Sequence, residues 1–142
     1  MDKDNHSAAA LIHQINSRDT AYINKQFRAL NLNSEQGRVI SYVARHPQCK
    51  QRDVAHFLNR QEASVTNLVK GLAKRDLLSR EVPEDNERTK LLSLTEEGET
   101  MVVKIDAAFD RLQAFVDGTL KDDERTTLEQ LLEKVNTVSF DD

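Results

Sequence analysis

The stretch Arg52–Gly98, RDVAHFLNRQEASVTNLVKGLAKRDLLSREVPEDNERTKLLSLTEEG, changes its apolar period once, and that change decides the fold. Val54, Phe57 and Leu58 predict a short helix over about Arg52–Leu58, with all three buried. After a turn at Asn59-Arg60-Gln61, Val65, Leu68, Val69 and Leu72 recur at i, i+3, i+4 and i+7. That is the stripe of a one-sided helix, placed roughly at Glu62–Arg75. Asp76 is expected in the left-handed position that follows a helix, where Asp is tolerated. Beyond it the period drops to two. Leu77–Glu81 and Thr89–Leu94 read as two short strands around a polar loop at residues 83–88, with Leu92 and Leu94 on one face. Two helices joined by a tight turn and followed by a hairpin make the winged helix-turn-helix order.

The second of these helices carries the functional signal. With its apolar stripe turned inward, its opposite face is Ala63, Asn67, Lys70 and Lys74, flanked by Ser64, Thr66 and Gly71. No carboxylate lies near the centre of that face. A reader of the major groove needs this chemistry. Asn pairs with adenine edges, Lys with guanine, the methyls of Ala and Thr with thymine methyls, and hydroxyls with phosphate. Ala63, Ser64, Thr66, Asn67, Lys70 and Lys74 are therefore candidate contacts to double-stranded DNA. An ordinary solvated face is the plain alternative, and the short helix and tight turn before it weigh against that.

Outward from this core, Leu11, Ile12, Ile15, Tyr22, Ile23 and Phe27 predict a helix over Ala8–Phe27. Asn33, with Gln36 three residues on, predicts a capping box opening a second helix that stops at His46-Pro47. On the other side, Thr95 with Glu96 and Glu97 opens a long helix expected to run to Val116, since acidic residues in the first turn complement the helix dipole. Gly118 ends it, and a last helix from Asp122 or Asp123 carries Leu128, Leu131, Leu132 and Val135. Both terminal helices have wide apolar faces with no partner inside a winged helix module. They are expected to pair with a second copy. The fold class is thus mainly α with a small β-hairpin wing, a winged helix-turn-helix flanked by dimerisation helices. One domain is expected over 1–142, with the DNA-binding core at 32–95 and the dimerisation helices at 1–31 and 96–142.

Composition agrees with this reading. Hydrophobic residues are 38% and aromatics 5% of 142 residues, low for a chain that completes its core alone and consistent with pairing. The net charge of −4 hides a split. Residues 45–95 hold ten Lys and Arg against seven Asp and Glu; residues 96–142 hold five against thirteen. A basic middle can meet phosphate while an acidic end keeps the body soluble. The polar start, Met1-Asp2-Lys3-Asp4, the single Cys and the absence of any long apolar run lead to the expectation of a cytoplasmic protein without a membrane span.

The same stretch resembles the DNA-binding core of MarR-family regulators. Ala63-Ser64-Val65-Thr66 matches the run that opens the family's recognition helix, and Leu72 to Arg80 matches its exit, with Asp76 in place of the usual Gly. Asn86 to Gly98 matches the wing tip, strand and Leu-Thr-x-x-Gly that follow, and Leu32-Asn33-x-x-Gln36 matches the start of the second helix. Two departures stand out. Asn86-Glu87-Arg88 replaces the family's Asp before its arginines, although Arg88 still matches the arginine placed in the minor groove. Lys50 stands where a hydroxyl caps the third helix, and lysine cannot cap. The resemblance implies a homodimer on an inverted repeat, its half-sites roughly 34–36 Å apart. It further implies a repressor, with a small molecule as possible effector, and adds Arg88 to the DNA contacts.

Other signals are weaker. Cys49 is read as a small buried side chain, since redox-sensing relatives carry their cysteine at the start of the first helix. His46, Cys49 and His56, or His6 and His13, lack the carboxylates or clustered cysteines of a metal site. No phosphate loop, nucleophile elbow or metal motif suggests an enzyme. No catalytic residue, metal or cofactor is expected, and the effector site is left open. The alternatives are a winged helix used for protein contact or a redox- or metal-responsive variant.

Overall fold

The computed structural model describes residues 6–83 and 89–139. In chain order they form α1 (Ala8–Ala29), α2 (Ser34–Arg45), β1 (Cys49–Lys50), α3 (Gln51–Leu58), α4 (Glu62–Lys74), β2 (Leu78–Glu81), β3 (Leu91–Leu94), α5 (Glu96–Asp117) and α6 (Asp122–Asn136). The fold is mainly α with a small antiparallel sheet, as expected.

Local chemistry sets the ends of these elements. The N–H of Gln36 donates to Asn33 Oδ1 at 2.8 Å, and the N–H of Asn33 donates to Gln36 Oε1 at 2.9 Å, completing the box that opens α2. Lys50 offers α3 no side-chain acceptor. Asp53 supplies half of a box instead, its Oδ2 taking the Lys50 N–H at 3.0 Å. Asp76 adopts φ 61°, the left-handed turn that lets the chain leave α4 for the sheet. The hydroxyl of Thr95 accepts the N–H of Gly98 at 3.0 Å, capping α5, and donates to the Asp76 carbonyl. α5 then runs to Asp117 and stops before Gly118.

Two compact units result, Met1–Ala108 and Phe109–Asp142. The first holds the core. Phe27 of α1, Val39, Ile40 and Val43 of α2, Val54 of α3, Val65, Val69 and Leu72 of α4, Leu92 of β3 and Ile105 of α5 are all buried together. In the second unit no described residue is buried.

Several expectations need correction. The sheet has a third strand, β1, and its order is β1-β3-β2. Leu92 faces Cys49 on one side and Arg80 on the other, so β3 is central and Leu92 is fully buried. Two residues are too few to show a period, which is why β1 is invisible in the sequence. The other strands are shorter than expected at their N-terminal ends, starting at Leu78 and Leu91. Phe57 is not buried; α3 turns Val54, Ala55 and Leu58 inward and leaves Phe57 at the edge of that arc. There it stacks on Tyr42, with ring centroids 4.7 Å apart, and the Arg38 guanidinium sits 5.1 Å over its ring. On α1 only Phe27 is buried, while Leu11, Ile12 and Ile15 stay exposed.

Gly98 is required by close approach, because a Cβ there would run into the Leu77 carbonyl oxygen. The nearest atoms are Leu77 backbone, which cannot swing aside as the end of a flexible side chain can, and Leu94 Cβ also lies close. Gly98→Ala is expected to cost about 1–3 kcal/mol, the range of overpacked cores. Urea unfolding at constant m-value measures it, and a loss below about 0.5 kcal/mol, the usual size of surface changes, would contradict the close approach.

Candidate nucleic-acid interface

The outward face of α4 is built by what lies behind it. Val65, Val69 and Leu72 are at most 1% exposed, and Leu68 is half-buried against the same core. Helical geometry then turns Ala63, Ser64, Asn67, Lys70 and Lys74 to the other side, and all five are exposed. Thr66 is half-buried at the flank. The structure thus brings six of the seven expected DNA-contact residues onto one helix. Arg88, the seventh, lies outside the described residues, as do Asn86 and Glu87.

Three supports hold α4 in place. At its C-terminal end, Arg75 donates from Nη1 to the Asn31 carbonyl at 2.6 Å and from Nη2 to the Leu30 carbonyl at 3.3 Å. These carbonyls belong to the turn between α1 and α2, where Asn31 takes φ 57°. In the turn before α4, Arg60 pairs with Glu35 of α2. Near its N-terminus, Gln51 Nε2 of α3 donates to Thr66 Oγ1 at 2.6 Å, while the Thr66 hydroxyl donates to the Glu62 carbonyl at 3.0 Å. The proton of that hydroxyl is therefore used within α4. Of the two roles expected for Thr66, the methyl contact needs no rearrangement, whereas donation to phosphate requires breaking this bond.

Sequence reasoning misses a groove beside α4. Its volume is about 540 Å³, and it is lined by Lys50, Gln51, Arg52, Glu62, Thr66, Thr89 and Lys90. Every lining side chain is polar or charged. In the sequence Lys50 stands out only as a residue unable to cap, and Lys90 only as part of a strand. The signal is the excess of cations in residues 45–95, but their convergence depends on β1 pairing with β3, which brings Lys50 opposite Leu91.

Cys49 is buried in the sheet. Burial pushes its thiol pKa up, the Asp53 carboxylate adds to this, and a backbone hydrogen bond works the other way. The thiolate is disfavoured, so the reading of Cys49 as a packing residue rests on both burial and charge. Among the described residues, no three His, Cys, Asp or Glu side chains gather where a metal ion could be held.

The MarR family model matches residues 32–90. The winged helix segment of this chain is thus similar to the MarR family. Solved structures of MarR-type regulators extend the likeness beyond that segment. A putative MarR family transcriptional regulator from Clostridium acetobutylicum is 28% identical, covering 90% of this chain and 95% of its own, with a TM-score of 0.74. MepR of S. aureus, in a complex with DNA, is 24% identical, covering 92% of this chain and 97% of its own, with a TM-score of 0.76. Wild-type MarR of E. coli in its apo form is 22% identical, covering 90% and 95%, with a TM-score of 0.75. Comparison with curated proteins returned no match. The MarR-type fold therefore includes the flanking helices as well as the winged helix. Among the described residues, no helix is long and apolar enough to cross a membrane.

Native Cys49 is expected to react with iodoacetamide at pH 8 far more slowly than the urea-unfolded chain. Its pKa lies above the ordinary value, so the thiolate fraction at pH 8 falls below that of an exposed thiol. Equal labelling rates in the two states, followed by mass spectrometry, would contradict a packing role.

Proposed function

We propose that this protein is a homodimeric transcription regulator that reads double-stranded DNA through α4. One observation carries the reading: the centre of the exposed face of α4 is amide, hydroxyl, methyl and ammonium, over an apolar stripe whose Val65, Val69 and Leu72 are fully buried. A helix used for protein contact more often presents apolar anchors, and the exposed positions here are Glu62 at the N-terminal end, then Ala63, Ser64, Asn67, Lys70, Gly71 and Lys74. Asn67 and Lys70 read base edges, Ala63 and Thr66 meet thymine methyls, and Ser64 and Lys74 hold the backbone. Arg88 joins them on the strength of the sequence resemblance. The finer reading is a repressor on an inverted repeat, released by a small ligand, and its support is the MarR-type segment at residues 32–90.

The dimer has its own physical argument. In the first unit Leu11, Ile12 and Ile15 of α1 are exposed. In the second, α6 buries no residue, and Leu128, Leu131, Leu132 and Val135 stand in solvent. An isolated helix of this length is marginal in water, and apolar patches of this kind mark association surfaces. A second copy supplies the missing cover.

Asn67→Ala is expected to weaken binding to the preferred duplex, found by selection from random DNA, by about 1–3 kcal/mol and to relax preference at one base pair. An equal loss on every sequence would make Asn67 a backbone contact and remove the base-reading claim. Sedimentation at micromolar concentration should give twice the chain mass, and deleting residues 120–142 should give aggregation instead of a folded monomer. A monodisperse wild-type monomer would overturn the dimer.

A further inference from the structure

The groove beside α4 is not explained by base reading, since most of its lining lies on β1, on α3 and just before β3. Lys50, Arg52 and Lys90 bring three positive charges to it, against the single carboxylate of Glu62 among the described lining residues. No apolar side chain lines it, so it does not suit the apolar body of a drug-like ligand. α3 begins at Gln51, between two of the cations; its N-cap residue Lys50 offers no side-chain acceptor, and the Asp53 carboxylate is engaged with the Lys50 N–H. The N-terminus of α3 adds the positive end of a helix dipole. Gln51 spends one amide N–H on Thr66, and a carboxamide carries two. Such a lining selects a hydrated anion.

The position of the groove selects the anion's source. Glu62 and Thr66 belong to the first turns of α4, immediately before Asn67 and Lys70. When the N-terminal part of a recognition helix enters the major groove, the phosphates flanking that groove lie beside it. We propose that the groove seats a backbone phosphate of duplex DNA, with Lys50, Arg52 and Lys90 neutralising its charge. Gln51 acts as a positioning residue, fixing α4 against the seat through Thr66. Glu62 opposes the charge and keeps sequence-independent binding in check. The proposal rests on the DNA-binding reading above.

The test uses the full chain and a labelled duplex of about 30 base pairs of random sequence, because non-specific binding is essentially all phosphate. Affinity is measured between about 50 and 200 mM salt. The combined variant Lys50→Gln, Arg52→Gln, Lys90→Gln should flatten the slope of log affinity against log salt by about one for each phosphate it no longer neutralises, with unchanged Tm. Glu62→Gln should tighten binding to all duplexes, a change that needs no loss of packing and so keeps the test independent of folding in the triple variant. A triple variant with the wild-type slope, alongside a Glu62→Gln variant with wild-type affinity, overturns the seat while leaving DNA binding intact. Inorganic phosphate supplies the other arm. If it raises the Tm of the wild type and not of the triple variant, while the DNA salt slopes agree, the groove holds a small anion and the backbone assignment is wrong. A wild type that binds no duplex at any salt concentration removes both readings together.

Discussion

Val65, Val69 and Leu72 turn fully into the core, and the rest of α4 follows from that burial. Each such side chain contributes about 1.5–3 kcal/mol when taken out of water. A surface ion pair such as Arg60 with Glu35 contributes roughly 0–1 kcal/mol. The apolar stripe therefore decides the rotation of the helix about its own axis, and the polar pairs only refine it. Once the stripe is inside, Asn67 and Lys70 have no orientation open to them except outward.

Rotation alone does not set where α4 stands, and the hydrogen bonds at its two ends do that. Arg75 satisfies two carbonyls of the turn after α1, at a point where Asn31 in left-handed conformation exposes them. Gln51 holds the other end through the Thr66 hydroxyl. Behind the helix, Thr95 links the Asp76 carbonyl to the first turn of α5, and Gly98 lets that turn lie against Leu77. The outward face of α4 is thus connected through backbone and side chains to the turn after α1 on one side and to α5 on the other. Any rearrangement of those helices would be felt at α4.

Charge is arranged along the same lines. The net charge of −4 belongs to the C-terminal third of the chain, where thirteen acidic residues in 96–142 face five basic ones. Of the middle segment's cations, Lys50, Arg52 and Lys90 line the groove and Lys70 and Lys74 lie on the outward face of α4. For the DNA-binding reading proposed above, local cations of this kind place attraction for phosphate beside α4, while a negative net charge weakens long-range attraction.

The sequence by itself determined the order of the helices, the openings of α2 and α5 and the outward chemistry of α4. These are local matters: a 3.6-residue stripe, an Asn33–Gln36 box, and a left-handed Asp76 are decided within a few residues. Only the tertiary structure decided what depends on residues far apart in the chain. β1 exists because Cys49 and Lys50 find Leu91 and Leu92 some forty positions later, and two residues carry no period of their own. The same pairing draws Lys50 and Arg52 toward Lys90 and makes a groove from cations that look scattered along the chain. Phe57, apolar and at a plausible spacing, belongs to the core by pattern and to the surface by packing. The inward arc of α3 is already filled by Val54, Ala55 and Leu58, and an aromatic stack with Tyr42 offers the ring partial cover outside it. Patterns record which side chains avoid water; competition for the interior is settled only when the elements meet.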